Sequence, residues 1–282
     1  MKKHVIAVTM LALCCLSFAQ ESTTRGNNLQ EQAALSAQNR AAEAALHSPF
    51  STADCSFTFI SGAMNNFLKF CVTTNGNITV FETPLGHEHI AIGRDGEGYG
   101  ICDLNSNVAY DDYSEFGDSG NWEPATVVSQ TATSVKIARS TSDGHWTLTQ
   151  TFSQIAGISP SARITMALRN NTATPRNARL LRYVDVDADG VANNNLDATL
   201  NSAFGWNSIS PGGIGPFGLV LQNLSQAFPS PFVQKTSVPP ASCDDHSNSG
   251  PLLSTDGSLV LAYNFSVNAH TTVTVPLAYK GL

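Results

Sequence analysis

Charge is scarce in this chain. Lys, Arg, Asp and Glu make up 13% of its 282 residues, about half the roughly 25% usual for soluble domains, so Ser, Thr, Asn and Gln must cover much of the surface. Positive charge is scarcer still: 15 basic residues stand against 22 acidic ones, and removal of Lys2 and Lys3 with an export signal leaves 13 against 22, a balance of −9. Such a surface repels phosphate backbones and anionic lipid, and no basic stripe interleaves with aromatics, which argues against a nucleic-acid partner. Beyond Leu16 no apolar run is long enough to cross a bilayer. Cysteine is sparse, and no C-x-x-C pair occurs, which weighs against structural zinc.

What is present begins with an address. Lys2 and Lys3 open a basic start, Val5 to Leu16 is a short apolar run, and Ser17-Phe18-Ala19 offers small residues where a signal peptidase reads. Residues 1–19 are expected to be a signal peptide cleaved after Ala19. Leu13 before Cys14 disfavours a lipid anchor. The mature protein is then secreted or periplasmic, and keeps Cys55, Cys71, Cys102 and Cys243. Four thiols in an oxidising compartment predict two disulfides, for which three pairings exist. Cys55 and Cys71 flank Ser61 to Asn66 symmetrically, as partners across a hairpin turn would, which leaves Cys102 for Cys243.

Residues 20–50 differ in texture from the rest. Asn28 to His47 is rich in Ala, Gln and Glu with only Leu29, Leu35 and Leu46 as large apolar anchors, which predicts a helical or flexible spacer. Residues 51–282 are expected to form one domain of short strands. Phe67 to Val72 and Ile78 to Phe81 flank Asn75-Gly76, the preferred chemistry of a tight hairpin; Ser134 to Arg139 and His145 to Phe152 flank Asp143-Gly144. Arg163 to Leu168 and Leu180 to Val186 also read as strands, and Leu259 to Val267 with Thr272 to Tyr279, around the Asn268-Ala269-His270 break, reads as a closing hairpin. Asn201 to Asn248 is rich in Pro and Gly and reads as long loops around one strand, Gly218 to Leu221. The fold class is all-β: a large antiparallel two-layer β-sandwich with long loops and an N-terminal helical spacer.

The strand ending in Ala167-Leu168-Arg169-Asn170-Asn171-Thr172, followed by a strand that runs into an acidic stretch, resembles the middle of galactose-mutarotase-like supersandwich domains. That resemblance implies a large antiparallel sandwich and a link to carbohydrate. The family's catalytic histidine and glutamate motifs have no match here, so no functional residue carries over.

Asp185, Asp187, Asp189 and Gly190 form a D-x-D-x-D-G run. Carboxylates at alternate positions repel one another unless a cation sits between them, and a glycine lets the backbone turn, which suggests a calcium loop. Val191 could add a carbonyl, with Asn193, Asn195 or Asp197 completing an oxygen shell; Leu196 stands where an EF-hand places its bidentate glutamate, so an EF-hand is not expected. A solvated acidic turn at a strand end explains the run equally well.

Other stretches have both a chemical and a structural reading. Tyr110 to Asp118, with Trp122 nearby, would suit a sugar site or simply place aromatics in the core. Gly117-Asp118-Ser119-Gly120 resembles a serine-protease nucleophile motif, but His87 and His89 lie too near it along the chain, and a turn explains it better. His87-Glu88-His89 puts two imidazoles on one strand face without a third metal ligand nearby. Gly96-Glu97-Gly98-Tyr99-Gly100 allows close approach of a backbone or ligand, or a tight turn, and Glu97 with Asp103 or Asp112 is the acid/base pair to test first. Two functions follow: a non-catalytic module that binds calcium and engages a glycan or a cell-surface protein, or a carbohydrate-active enzyme using Glu97 or the acidic clusters.

Overall fold

From Trp146 to Ile155 the chain alternates Trp, Leu, Gln and Phe with Thr, Thr, Thr and Ser; the first set is buried and the second half-buried, the signature of a strand with one face on a core. The same alternation recurs through the chain. The computed structural model describes residues 55–90, 96–113, 118–207, 216–225, 230–234, 240–244 and 247–282. The expected signal peptide and spacer lie outside the described residues.

In chain order the strands are β1 (Phe57–Ser61), β2 (Leu68–Val72), β3 (Ile78–Glu82), β4 (Glu97–Asp103), β5 (Val108–Asp112), β6 (Thr126–Gln130), β7 (Ser134–Ser140), β8 (Trp146–Ile155) and β9 (Ser161–Asn170). They continue with β10 (Arg176–Asp185), β11 (Asn193–Ala198), β12 (Ser202–Trp206), β13 (Gly218–Asn223), β14 (Ser230–Gln234), β15 (Leu252–Asp256), β16 (Ser258–Val267) and β17 (Thr272–Gly281). Nine form one sheet in the order β15-β11-β12-β13-β17-β9-β8-β7-β6; five form a second, β14-β16-β10-β4-β5; β1, β2 and β3 form a third. Pairing is antiparallel, and the hairpins β2–β3 and β7–β8 fall where the turn chemistry placed them. The expected closing hairpin is not one: β16 pairs with β10 and β14 while β17 pairs with β13 and β9, so the Asn268–Thr271 turn carries the chain from the five-stranded to the nine-stranded sheet.

The two large sheets share one core. Ile164, Met166, Leu168, Val275 and Leu277 of the nine-stranded sheet join Ile101, Leu180, Leu259 and Leu261 of the five-stranded sheet in a single buried cluster. The far face of the smaller sheet is covered too: Tyr113, Leu181, Tyr183, Phe232, Val260 and Ala262 make a second cluster. The Cys102–Cys243 disulfide anchors residues 240–244 to that side, and Cys55–Cys71 ties the start of the described chain to β2. Both expected pairings are present.

Of the two readings of Gly96 to Gly100, close approach is the one present: Glu97 opens β4, a Cβ on Gly98 would lie 2.2 Å from the Asp112 carbonyl oxygen, and one on Gly100 would lie 2.3 Å from Asp111 Oδ1. The stretch from Asn201 to Asn248 holds β12, β13 and β14 rather than one strand. The inward positions of β12 are Ala203 and Gly205, too small to read as a hydrophobic face, and β14 tolerates Pro231 because it is an edge strand.

Candidate functional site

The histidine stretch and the acidic run meet. Ile90 bridges Val186, the Asp187 amide donates to the His89 carbonyl at 3.2 Å, and the Asp189 amide donates to the Glu88 carbonyl at 2.7 Å. This brings His87 Nδ1 to 2.9 Å from Asp189 Oδ1, and the ring of Phe217 stacks on the imidazole at 3.6 Å. Asp189 and Gly190 both have positive φ (59° and 71°), the sharp turn for which short polar residues and glycine are suited. His89 is fully buried; its Nε2–H donates to the Thr83 carbonyl at 2.6 Å, and burial lowers its pKa, so it is held neutral. Glu88 is pushed up by burial, while the Phe81 and Ile90 amides donate to its Oε1 at 2.8 and 3.1 Å.

Several of the oxygens proposed for calcium accept hydrogen bonds within the protein. Asp185 ends β10 and is nearly buried, whereas Asp189 faces His87. The Val191 carbonyl accepts from Asn194 Nδ2 at 2.6 Å, Asn195 Oδ1 accepts from the Ser254 amide at 3.1 Å, and Asp197 Oδ1 accepts from the Ala198 amide at 2.8 Å. Asn193 is exposed, and Leu196 packs in the core. Among the described residues no group of three or more His, Cys, Asp or Glu side chains is placed to hold a metal ion.

Glu97 and Asp112 are each enclosed. Glu97 Oε1 accepts from Arg182 Nε at 2.5 Å and from the Tyr279 hydroxyl at 2.7 Å, and its Oε2 accepts from the Ile78 amide at 2.6 Å. Arg182, fully buried, also donates to Gln150 Oε1 at 2.6 Å and to the Gly76 carbonyl at 3.2 Å, with its guanidinium flanked by Tyr99 and Phe152. Burial pushes the Glu97 carboxyl up and Arg182 draws it back. Asp112 and Asp118 share the guanidinium of Arg139. Asp103 is held by Arg176 at 2.6 Å and by Trp146 Nε1 at 3.1 Å. Glu97, Asp112 and Asp103 are thus each paired with a different arginine, and Asn77 Nδ2 donates both to Asp112 Oδ1 and to the Glu97 carbonyl. Tyr110, Tyr113 and Trp122 are buried core residues, and Ser119 Oγ accepts from the Asp111 amide at 2.9 Å within a turn.

A different cluster lies on the outer face of the nine-stranded sheet. Inward Ala203 and Gly205 send Phe204 and Trp206 outward, half-buried, with ring centroids 5.7 Å apart and planes at 24°. The register sets Asn195 opposite Trp206 and Asp197 opposite Phe204 on one side, then Val220 opposite Phe204 and Lys280 opposite Val220 on the other. Part of the expected oxygen shell thus borders an aromatic pair. Neither ring was anticipated; the signal for them is the alternation Ala203-Phe204-Gly205-Trp206, which puts both rings on one face of a strand.

No protein-family model matches the sequence, and no curated protein matches it. Among solved structures the chain aligns with a candidate kojibiose phosphorylase from the human microbiome at a TM-score of 0.50 and 10% identity, covering 84% of this chain and 31% of that one. It also aligns with a candidate aldose 1-epimerase from Escherichia coli K12 (TM-score 0.46, 10% identity, 80% of this chain and 99% of that one). A third alignment is with a galactose mutarotase-like protein from Lactobacillus casei (TM-score 0.42, 9% identity, 79% and 100%). At about 10% identity, these likenesses are of fold alone.

Proposed function

We propose that this chain is an exported, non-catalytic glycan-binding β-sandwich whose ligand lies on the outer face of the nine-stranded sheet across Phe204 and Trp206. The observation that carries this is the row Asp197, Phe204, Val220, Lys280, with Trp206 and Asn195 beside it. Two rings in one plane of contact suit the apolar C–H face of a sugar, and the flanking amide, carboxylate and ammonium supply directional partners for its hydroxyls. The buried networks support the non-catalytic half. Glycoside hydrolysis needs two carboxyl groups reaching one bond with room for water or a nucleophile. Glu97, Asp103 and Asp112 are instead each committed to an arginine, buried for Glu97 and Asp112 and half-buried for Asp103. A shared fold with a candidate kojibiose phosphorylase adds analogy alone.

Trp206→Ala should weaken binding to retained polysaccharides by about thirtyfold, the effect of losing an aromatic anchor worth about 2 kcal/mol, with little change in melting temperature. A glycan array followed by titration measures it. Unchanged affinity in the variant would move the site elsewhere, and oligosaccharide released by the parent would replace binding with catalysis.

Calcium enters as a competitor of the His87 contact. His87 Nδ1 holds Asp189 Oδ1, so an ion shared by Asp185, Asp187 and Asp189 competes with the imidazole for that carboxylate. At a hundredfold excess over its dissociation constant, a bound ion would add about 2.7 kcal/mol and raise the melting temperature by roughly 5–10 °C. The rise should be larger in His87→Ala than in the parent. Equal melting temperatures in calcium and in chelator for both proteins would leave the run as a strand-end turn.

A further inference from the structure

The face that carries the aromatic pair continues across β13, β17, β9, β8 and β7, and these five strands contain no Asp or Glu, in a chain where acidic residues outnumber basic ones 22 to 15. Cations are present there. Alternation points Lys280 of β17, Arg163 and Arg169 of β9 and Lys136 of β7 outward, opposite to the buried Tyr279, Ile164, Leu168 and Ile137. Both arginines are exposed, and the lysines are half-exposed.

The register fixes their spacing. Arg163 stands opposite Ala278, two residues before Lys280, and Lys136 stands opposite Thr151, which faces Thr165. With strands about 4.8 Å apart and about 3.4 Å per residue, Arg163 lies about 8 Å from Lys280 and about 12 Å from Lys136. Arg169 is about 20 Å farther along β9. Threonine hydroxyls lie between them. Arg139, Arg176 and Arg182 each pair with a carboxylate, whereas these four cations have no such partner among the described residues. A net-acidic molecule therefore presents one extended face of unneutralised positive charge, and that charge adjoins the aromatic row through Val220 and Lys280.

We infer that the glycan taken by this face is anionic: a polysaccharide bearing carboxylate or sulfate groups, running from Phe204 and Trp206 over Lys280 towards Arg163 and Lys136. The inference rests on the proposed glycan-binding role and names its ligand class. A guanidinium fork matches a carboxylate or sulfate through paired N–H donors, a lysine serves as a point charge, and Thr151 and Thr165 exchange hydrogen bonds with sugar hydroxyls. Charge complementarity selects the partner: from β13 to β7 no strand offers a carboxylate to repel a polyanion, and Asp197 lies on β11, on the side of Phe204 away from the cations.

The test titrates the full chain with dextran, polygalacturonate, dextran sulfate and double-stranded DNA, for the parent and for the Lys136→Ala, Arg163→Ala, Lys280→Ala triple variant. Polygalacturonate, dextran sulfate or both should bind about tenfold more tightly than dextran, with the advantage shrinking as salt is raised. The triple variant should lose about tenfold for the anionic polymer and leave weak dextran binding unchanged. Which anionic polymer binds tells uronate from sulfate. Arg163→Glu, a single exposed change, gives the same readout if the triple variant folds poorly. Equal affinity for neutral and anionic polymers, insensitive to these substitutions, would overturn the anionic assignment while leaving glycan binding intact. Tighter binding of DNA than of either polyanion would overturn it in favour of a phosphate backbone, and no polysaccharide binding at all would remove both readings.

Discussion

Arg182→Ala should lower the melting temperature by about 10–15 °C. Arg182 has no exposed surface and joins the two large sheets: its guanidinium binds Glu97 on β4 and Gln150 on β8, and Glu97 in turn accepts from Tyr279 on β17. Removing one partner of a buried pair leaves the other charged and unpaired, which costs about 3–5 kcal/mol out of a typical 5–15. At roughly 2–4 °C per kcal/mol for a domain of this size, the shift follows. Arg182→Lys should fall nearly as far, because an ammonium cannot reach Glu97, Gln150 and the Gly76 carbonyl from one planar group. Glu97→Leu combined with Arg182→Met should recover part of the loss, since it removes both charges. Denaturant midpoints of the three variants decide the matter. A drop of under about 3 °C in Arg182→Ala would mean that water enters and solvates Glu97.

The β architecture was legible because its elements announce themselves locally. Thr and Ser alternate with large apolar residues along β8, and Asn75-Gly76 needs no distant partner to specify a turn. Ambiguity arose where local chemistry has two outlets. Glycines in Gly96 to Gly100 signal turns in general, but Gly98 is there because the Asp112 backbone leaves no space for a Cβ. Alternation in β12 was hidden by small inward residues at Ala203 and Gly205, the latter against Leu196 and Val186. The candidate site was less visible still. Spacing of Asp185, Asp187 and Asp189 is the same for an ion cage and for a strand end, and the His87 partner of Asp189, 102 residues away, is not visible from the run itself. Likewise Phe204 and Trp206 can be read off one strand, but Asp197, Val220 and Lys280 join them only through the sheet order β11-β12-β13-β17.

Stability should fall as pH rises from about 4 to about 7, and Asp112 should account for much of the slope. Asp112 is sealed from solvent and shares Arg139 with Asp118. Burial, the largest influence, pushes its carboxyl from 3.8 up to about 7; Arg139 draws it down, and the Asp118 charge pushes it up again. Between those values the folded protein keeps a proton on Asp112 that the unfolded chain has released. The folded state therefore binds more protons, and the unfolding free energy declines with pH through that window and levels off above it. A rise from 3.8 to about 7 corresponds to on the order of 4 kcal/mol across the whole window. Glu88, Glu97 and Asp111, also raised by burial, slope the same way, so the parent curve alone does not isolate Asp112. Asp112→Asn does. The amide oxygen still accepts from Arg139 and carries no charge, so the variant should match the parent near pH 4 and exceed it in stability near pH 8. Denaturant midpoints of both proteins across that range give the difference curve. A flat difference, or a parent that gains on the variant as pH rises, would show that Arg139 keeps Asp112 ionised throughout and that the ion pair outweighs its burial.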